Sequence, residues 1–128
     1  MDIEHLGLNV REPAAMAAWY VEHLGMRVAR AADEPVVVRF LADSADDVML
    51  EIYHNPVADA PDYATVDPLV IHLAFASDDV PGDYARLLAA GATPATEPEV
   101  LPTGDAIAIA RDPWGFPVQL VKRAQPML

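Results

Sequence analysis

Two histidines, a glutamate and a glutamine carry most of the chemistry open to this chain: His5, Glu51, His72 and Gln119. There is no cysteine. Disulfides, zinc fingers, iron–sulfur clusters and thiol catalysis are excluded, and any metal must sit on imidazole and carboxyl oxygen. Two imidazoles and one carboxylate suit Zn²⁺, Ni²⁺, Co²⁺, Mn²⁺ or Fe²⁺ and leave positions open for water or substrate, as a catalytic metal requires. Gln119 would add a weaker carbonyl ligand or hydrogen-bond to bound water. A lone histidine on a strand is more often structural than ligating, and it is the spacing of these four that raises the metal reading.

The spacing is that of a repeat. His72 follows His5 by 67 residues, Gly91 follows Gly25 by 66, and Gln119 follows Glu51 by 68. Each half reads βαβββ. In the first, Ile3–Val10 alternates as a half-buried strand, with Leu6, Leu8 and Val10 on one face. Pro13 suits the first turn of a helix on which Met16, Tyr20 and Leu24 recur, and Gly25 suits its left-handed end. Strand-like runs follow at Arg27–Ala31, Val36–Leu41 and Val48–Tyr53, the last two separated by the acidic turn 43–47.

Residues 55–68, with three prolines, read as a linker between module one (1–54) and module two (69–128). Module two offers a strand at Leu69–Ala76 and a helix capped by Ser77 or Asp78, carrying Val80, Tyr84, Leu87 and Leu88. Strands are expected at Ala95–Leu101, Ala106–Ala110 and Val118–Lys122. Alternation places His5 opposite Leu6 and Leu8, Glu51 opposite Leu50 and Ile52, His72 opposite Ile71 and Leu73, and Gln119 opposite Val118 and Leu120. The apolar faces must pack on the helices. All four polar residues then emerge on the other face, with Gly7, Ala74 and Ala76 leaving room. Trp19 and Tyr20 read as core, His23 as a solvated helix residue and His54 as an exposed turn residue at its strand end, with a place at a pocket mouth as the alternative. Arg39 and Arg111 are expected to be surface charges, with a hold on a substrate carboxylate as the alternative.

The 128 residues suit one domain, with 53% hydrophobic and 22% charged residues. The net charge of −12 disfavours nucleic acid and anionic membranes as partners, and would admit a cationic ligand. No apolar run is long enough to span a bilayer and the first residues carry no signal-peptide pattern, so a cytoplasmic protein is expected.

The segments HLGLNV, WYVEHLGM, VMLEIYHNP, VIHLAFAS, LLAAGA and RDPWGFPVQL together resemble the vicinal oxygen chelate superfamily, which includes glyoxalase I, methylmalonyl-CoA epimerase, extradiol dioxygenases, fosfomycin-resistance enzymes and bleomycin-binding proteins. The resemblance implies an α+β fold in which paired βαβββ modules form a cupped mixed β-sheet with helices on its outer face. It implies metal ligands on the first and fourth strands of each module, which here are His5, Glu51, His72 and Gln119. It also implies a frequent homodimer. Members similar to glyoxalase I carry Glu at the last position, whereas this chain has Gln119. Exchanging the halves restores a His, Gln, His, Glu set similar to that of methylmalonyl-CoA epimerase, with Glu51 as the acid.

The function expected from this set is metal-dependent proton transfer next to the carbonyl of a small chelated substrate, as in a lyase, isomerase or epimerase of the glyoxalase type. Glu51 is the general base. An extradiol-type ring-cleaving dioxygenase on Fe²⁺ is the first alternative. A metal-free binding protein for a cationic drug resembling bleomycin is the second. The expected substrate is a small molecule, and the resemblance implies a pocket shaped by loops, for which 55–68, 102–105 and 114–116 are the candidates here.

Overall fold

A computed structural model describes residues 1–127. The chain divides into two compact units, the first ending at Pro61 and the second starting at Asp62. In the first unit, strand β1 (His5–Asn9) leads to helix α1 (Pro13–Leu24), then to β2 (Arg27–Ala32), β3 (Val38–Ala42) and β4 (Met49–Tyr53). The sheet order is β1-β4-β3-β2, with β1 parallel to β4 and the other neighbours antiparallel. Pro13 lies in the first turn of α1, where its missing N–H leaves no helical bond unmade. Gly25 ends the helix at φ 70°, and the cap N–H reaches the Tyr20 carbonyl. Met16 and Tyr20 on α1 are fully buried with Leu41 and Ile52 of the sheet, so one face of the strands is closed by the helix.

The second unit repeats the plan. After a single 3₁₀ turn (Tyr63–Thr65) come β5 (Leu73–Ala76), α2 (Val80–Ala89), β6 (Thr93–Val100), β7 (Ala106–Arg111) and β8 (Pro117–Lys122). The order is β5-β8-β7-β6, again with the first and last strands parallel. Val80, Tyr84 and Leu87 of α2 are buried with Ala108, Val118 and Leu120. Both units therefore have the expected βαβββ order.

The local differences from expectation have local causes. Strand β5 begins at Leu73 rather than Leu69, because Asp67-Pro68 starts a turn. Val70 N donates to the Asp67 carbonyl at 2.9 Å and Leu69 N to Asp67 Oδ1 at 2.8 Å, which leaves Leu69 and Val70 exposed. Asp79, not Ser77 or Asp78, caps α2 by accepting from Gly82 N at 3.1 Å. The Ser77 hydroxyl instead donates to Asp83 Oδ2 at 2.6 Å. Strand β6 starts two residues early and carries Pro94 and Pro98 with two register shifts. That is tolerable because it is an edge strand.

Candidate functional site

Register decides which side chains share a face. Strand β1 sets His5 beside Met49 and Gly7 beside Glu51 on β4. Glu51 in turn faces Phe40 on β3, and Phe40 faces Arg30 on β2. Cross-strand partners project from the same side of a sheet, so Gly7, Glu51, Phe40 and Arg30 form one row, with His5 two residues upstream on β1. The opposite face carries Leu8, Leu41, Leu50 and Ile52, all buried beneath α1.

Within this unit the structure brings two of the expected residues together. His5 Nε2 lies 3.4 Å from Glu51 Oε2, and both side chains stay partly open to solvent. The other ring nitrogen, Nδ1, donates to the Glu4 carboxylate. That bond, more than the desolvation opposing it, holds the His5 pKa above its ordinary value, and Glu51 adds to the rise. The Phe40 ring meets the imidazole edge-on at 5.7 Å between centroids. Gly7 supplies the space: a β-carbon there would lie 3.2 Å from Glu51 Oε2. Along the same face a cleft of about 270 Å³ is lined by Glu4, Arg27, Ala42 and Met49 among others.

His72 and Gln119 belong to the second unit, on the matching positions. Ala74 of β5 pairs with Gln119 of β8, and His72 lies two residues upstream of Ala74, as His5 lies upstream of Gly7. His72 precedes β5 rather than lying within it, and is exposed. Its Nδ1 donates to the Pro68 carbonyl at 2.8 Å. Both histidines thus engage Nδ1 with an oxygen acceptor, which leaves Nε2 as the nitrogen free to ligate. Metal-binding histidines are oriented in the same way. Among the described residues, no group of three or more His, Asp or Glu is gathered closely enough to hold an ion.

Other expectations resolve differently. Arg39 is neither a free surface charge nor available to substrate. It lies opposite Ile52 on the helix-facing side, and its guanidinium reaches the Ala32 and Val38 carbonyls and Asp33. Arg111 bonds to the carbonyls of Tyr63, Val66 and Gly115, fastening the 3₁₀ turn to the loop before β8. His23 is not fully solvated: it is partly buried and packs on Trp19 at 5.1 Å. Trp19 and Tyr20 are core, as expected.

The sequence reading missed Glu4, Phe40 and Arg30. Glu4 is flagged only by being adjacent to His5. Phe40 could have been found only from strand register. Arg30 is concealed by a bulge, because simple alternation puts it on the face of Val28. The register shift between Val28 and Arg30 turns it to the side of Phe40.

The sequence profile of the Glyoxalase/Bleomycin resistance protein/Dioxygenase superfamily matches residues 2–120. No protein of curated function matches the chain. Among solved structures, SMU.1112c is similar at 28% identity with a TM-score of 0.74, over 95% of this chain and 98% of that one. Glyoxalase I from Zea mays is similar at 27% identity with a TM-score of 0.77, over 97% of this chain but 45% of the maize chain. The present chain therefore spans less than half of the maize enzyme. TnmS3, an antibiotic binding protein from Streptomyces sp. CB03234, shares the fold at 20% identity with a TM-score of 0.72, over 97% of each chain. With its profile matched over nearly its whole length and its two βαβββ units in place, the chain belongs to the Glyoxalase/Bleomycin resistance protein/Dioxygenase superfamily.

Proposed function

We propose that this protein is a metal-dependent enzyme of the glyoxalase type, a lyase, isomerase or epimerase that moves a proton on the carbon next to the carbonyl of a small chelating substrate. The observation that carries the reading is the His5–Glu51 pair at 3.4 Å, with His5 Nδ1 already bonded to Glu4. The donor set suits a divalent ion such as Zn²⁺, Ni²⁺, Co²⁺, Mn²⁺ or Fe²⁺. His5 and Glu51 would hold it within the first unit, and His72 and Gln119 are the equivalent positions of the second. When bound, such an ion supplies Lewis acidity to the substrate oxygens.

The remaining work falls to side chains. Glu51 takes the proton from the substrate carbon and returns it, since Gln119 at the matching position cannot accept one. Phe40 walls one side of the imidazole. Arg30 makes no hydrogen bond or ion pair among the described residues, and it stands two strands from Glu51 at roughly 10 Å by strand spacing. It is the cation placed to hold an anionic group of the substrate.

The test follows hydrogen–deuterium exchange at the α-carbon of dicarbonyl hemithioacetals and 2-substituted thioesters, with the metal-loaded protein. Glu51→Gln should lower exchange by about two orders of magnitude or more with the fold intact. Arg30→Gln should raise KM for anionic substrates and leave kcat near the original. Undiminished exchange in folded Glu51→Gln removes the mechanism.

A second reading, sequestration of a small ligand without a metal, is favoured by one observation: three donors are not gathered together among the described residues. A homodimer also belongs to the proposal. Ile3 and Leu6, before and within the edge strand β1, are 75% and 42% exposed, which is apolar surface that a second copy would cover.

A further inference from the structure

The unit containing His5 holds a second cleft, of about 470 Å³, lined by Arg11, His54, Pro56, Ala58, Asp59 and Ala60. It lies beyond the far end of β1, so the length of the strand separates it from His5, roughly 13 Å at the usual rise. Strands β1 and β4 are parallel and both end here.

Its walls are built. Asn9 Nδ2 donates to the carbonyls of Asn55 and Ala58 at 3.2 and 2.8 Å, and Asn55 N donates back to Asn9 Oδ1 at 2.9 Å. Val57 N donates to Asn55 Oδ1 at 3.0 Å. These bonds tie the 55–58 segment to the end of β1. The His54 ring is fixed as well: Nδ1 donates to the Val10 carbonyl at 2.9 Å, so Nε2 donates to an oxyanion in the imidazolium form, in which both ring nitrogens carry a proton.

Against this fixed frame Arg11 is unengaged. The chain has eight Lys and Arg against twenty Asp and Glu. Arg27, Arg39, Arg86 and Arg123 each pair with an aspartate. Arg111 and Lys122 bond to backbone carbonyls. Among the described residues only Arg11 and Arg30 make no such contact, and of these two only Arg11 lines a cleft beside a histidine. In so acidic a chain, an arginine left unpaired in a cleft that an imidazole also lines is an arrangement for an external anion. Guanidinium groups bind planar and tetrahedral oxyanions through paired N–H donors.

We infer that Arg11 and His54 form a binding site, separate from the His5–Glu51 face, for the oxyanion head group of a small carboxylate- or phosphate-bearing ligand. The cleft volume is in the range of small-molecule sites and leaves room for a body beyond the head group. Asp59 and the exposed Glu12 oppose the anion. They weaken binding and select against ligands lacking a head group able to engage Arg11.

The experiment titrates the full-length protein with inorganic phosphate and, separately, with succinate, following the Arg11 side-chain N–H and His54 ring signals by NMR. One or both anions should shift these signals saturably, and the tighter of the two identifies the head group. Arg11→Gln should weaken binding at least tenfold. Arg11 is exposed and unbonded, so this variant should keep the circular dichroism of the parent. Asp59→Asn should tighten binding severalfold. Arg30→Gln, which removes the other unengaged cation, should leave it unchanged. The inference is overturned by no saturable shift with either anion, by equal binding in Arg11→Gln, or by a loss in Arg30→Gln matching that in Arg11→Gln. None of these outcomes bears on proton exchange at Glu51.

Discussion

At Gly7 the side-chain space that most residues would fill is left to the Glu51 carboxylate. A β-carbon at Gly7 would touch Tyr53 Cε1 at 3.4 Å and approach Glu51 Oε2 to 3.2 Å, tighter than ordinary contact, so the carboxylate must give by a few tenths of an ångström. The strand backbone itself accepts alanine, and removing a glycine from a strand tends to stabilise it. Gly7→Ala should therefore keep or slightly raise the melting temperature while lowering divalent-metal affinity by about tenfold, as losses of a ligand's support generally do. Calorimetric titration beside thermal unfolding separates the two effects. At this scale the sequence was informative about type and spacing. The matched positions of His5 and His72, and of Glu51 and Gln119, are legible because a duplication preserves them. Glu4, Phe40 and Arg30 were not legible, since their roles depend on which strand lies beside which.

Elements show the same division between what is encoded locally and what tertiary structure adds. The helices could be read from Pro13, Gly25 and their apolar spacing, because caps and periodicity are local. The bulge in β2 could not, since it is a property of the β2–β3 pair. Nor was it evident that the RDPWGFP segment is a structural clasp. Asp112 Oδ1 accepts from Trp114 N and Phe116 N, both at 2.9 Å. Gly115 at φ 88° lies against Ala64, and Arg111 reaches the Tyr63 and Val66 carbonyls. At the start of α2, the Ser77 hydroxyl and then Arg86 depress the Asp83 pKa below the ordinary 3.8. A carboxylate with a folded value below its unfolded one stabilises the protein above the unfolded value, and the contribution disappears as pH falls through the folded value. Ser77→Ala should thus be destabilised relative to the parent at neutral pH, and the gap should narrow as the solution is acidified below 3.8. Urea unfolding at several pH values measures it. A gap independent of pH would show that Asp83 is not the acceptor that matters.

For the molecule as a whole, the two units repeat one topology with the same strand order, and the repeat visible in the landmark spacings accounts for it. Neither unit contains a helix long and apolar enough to cross a membrane among the described residues. The proposed dimer has a direct consequence. Leu6→Asp on the edge strand should shift sedimentation toward the monomer, since a charge at a buried contact is costly, while unchanged sedimentation of a parent dimer would place the interface elsewhere. The central claim is that His5 and Glu51 help to hold a divalent ion, and metal stoichiometry tests it most directly. The protein, stripped and reloaded with Zn²⁺, Ni²⁺, Co²⁺, Mn²⁺ or anaerobic Fe²⁺, should retain one equivalent per chain of at least one of these after exhaustive dialysis, and His5→Ala should retain almost none. Retention of no metal by the parent, or equal retention by His5→Ala, would contradict the account.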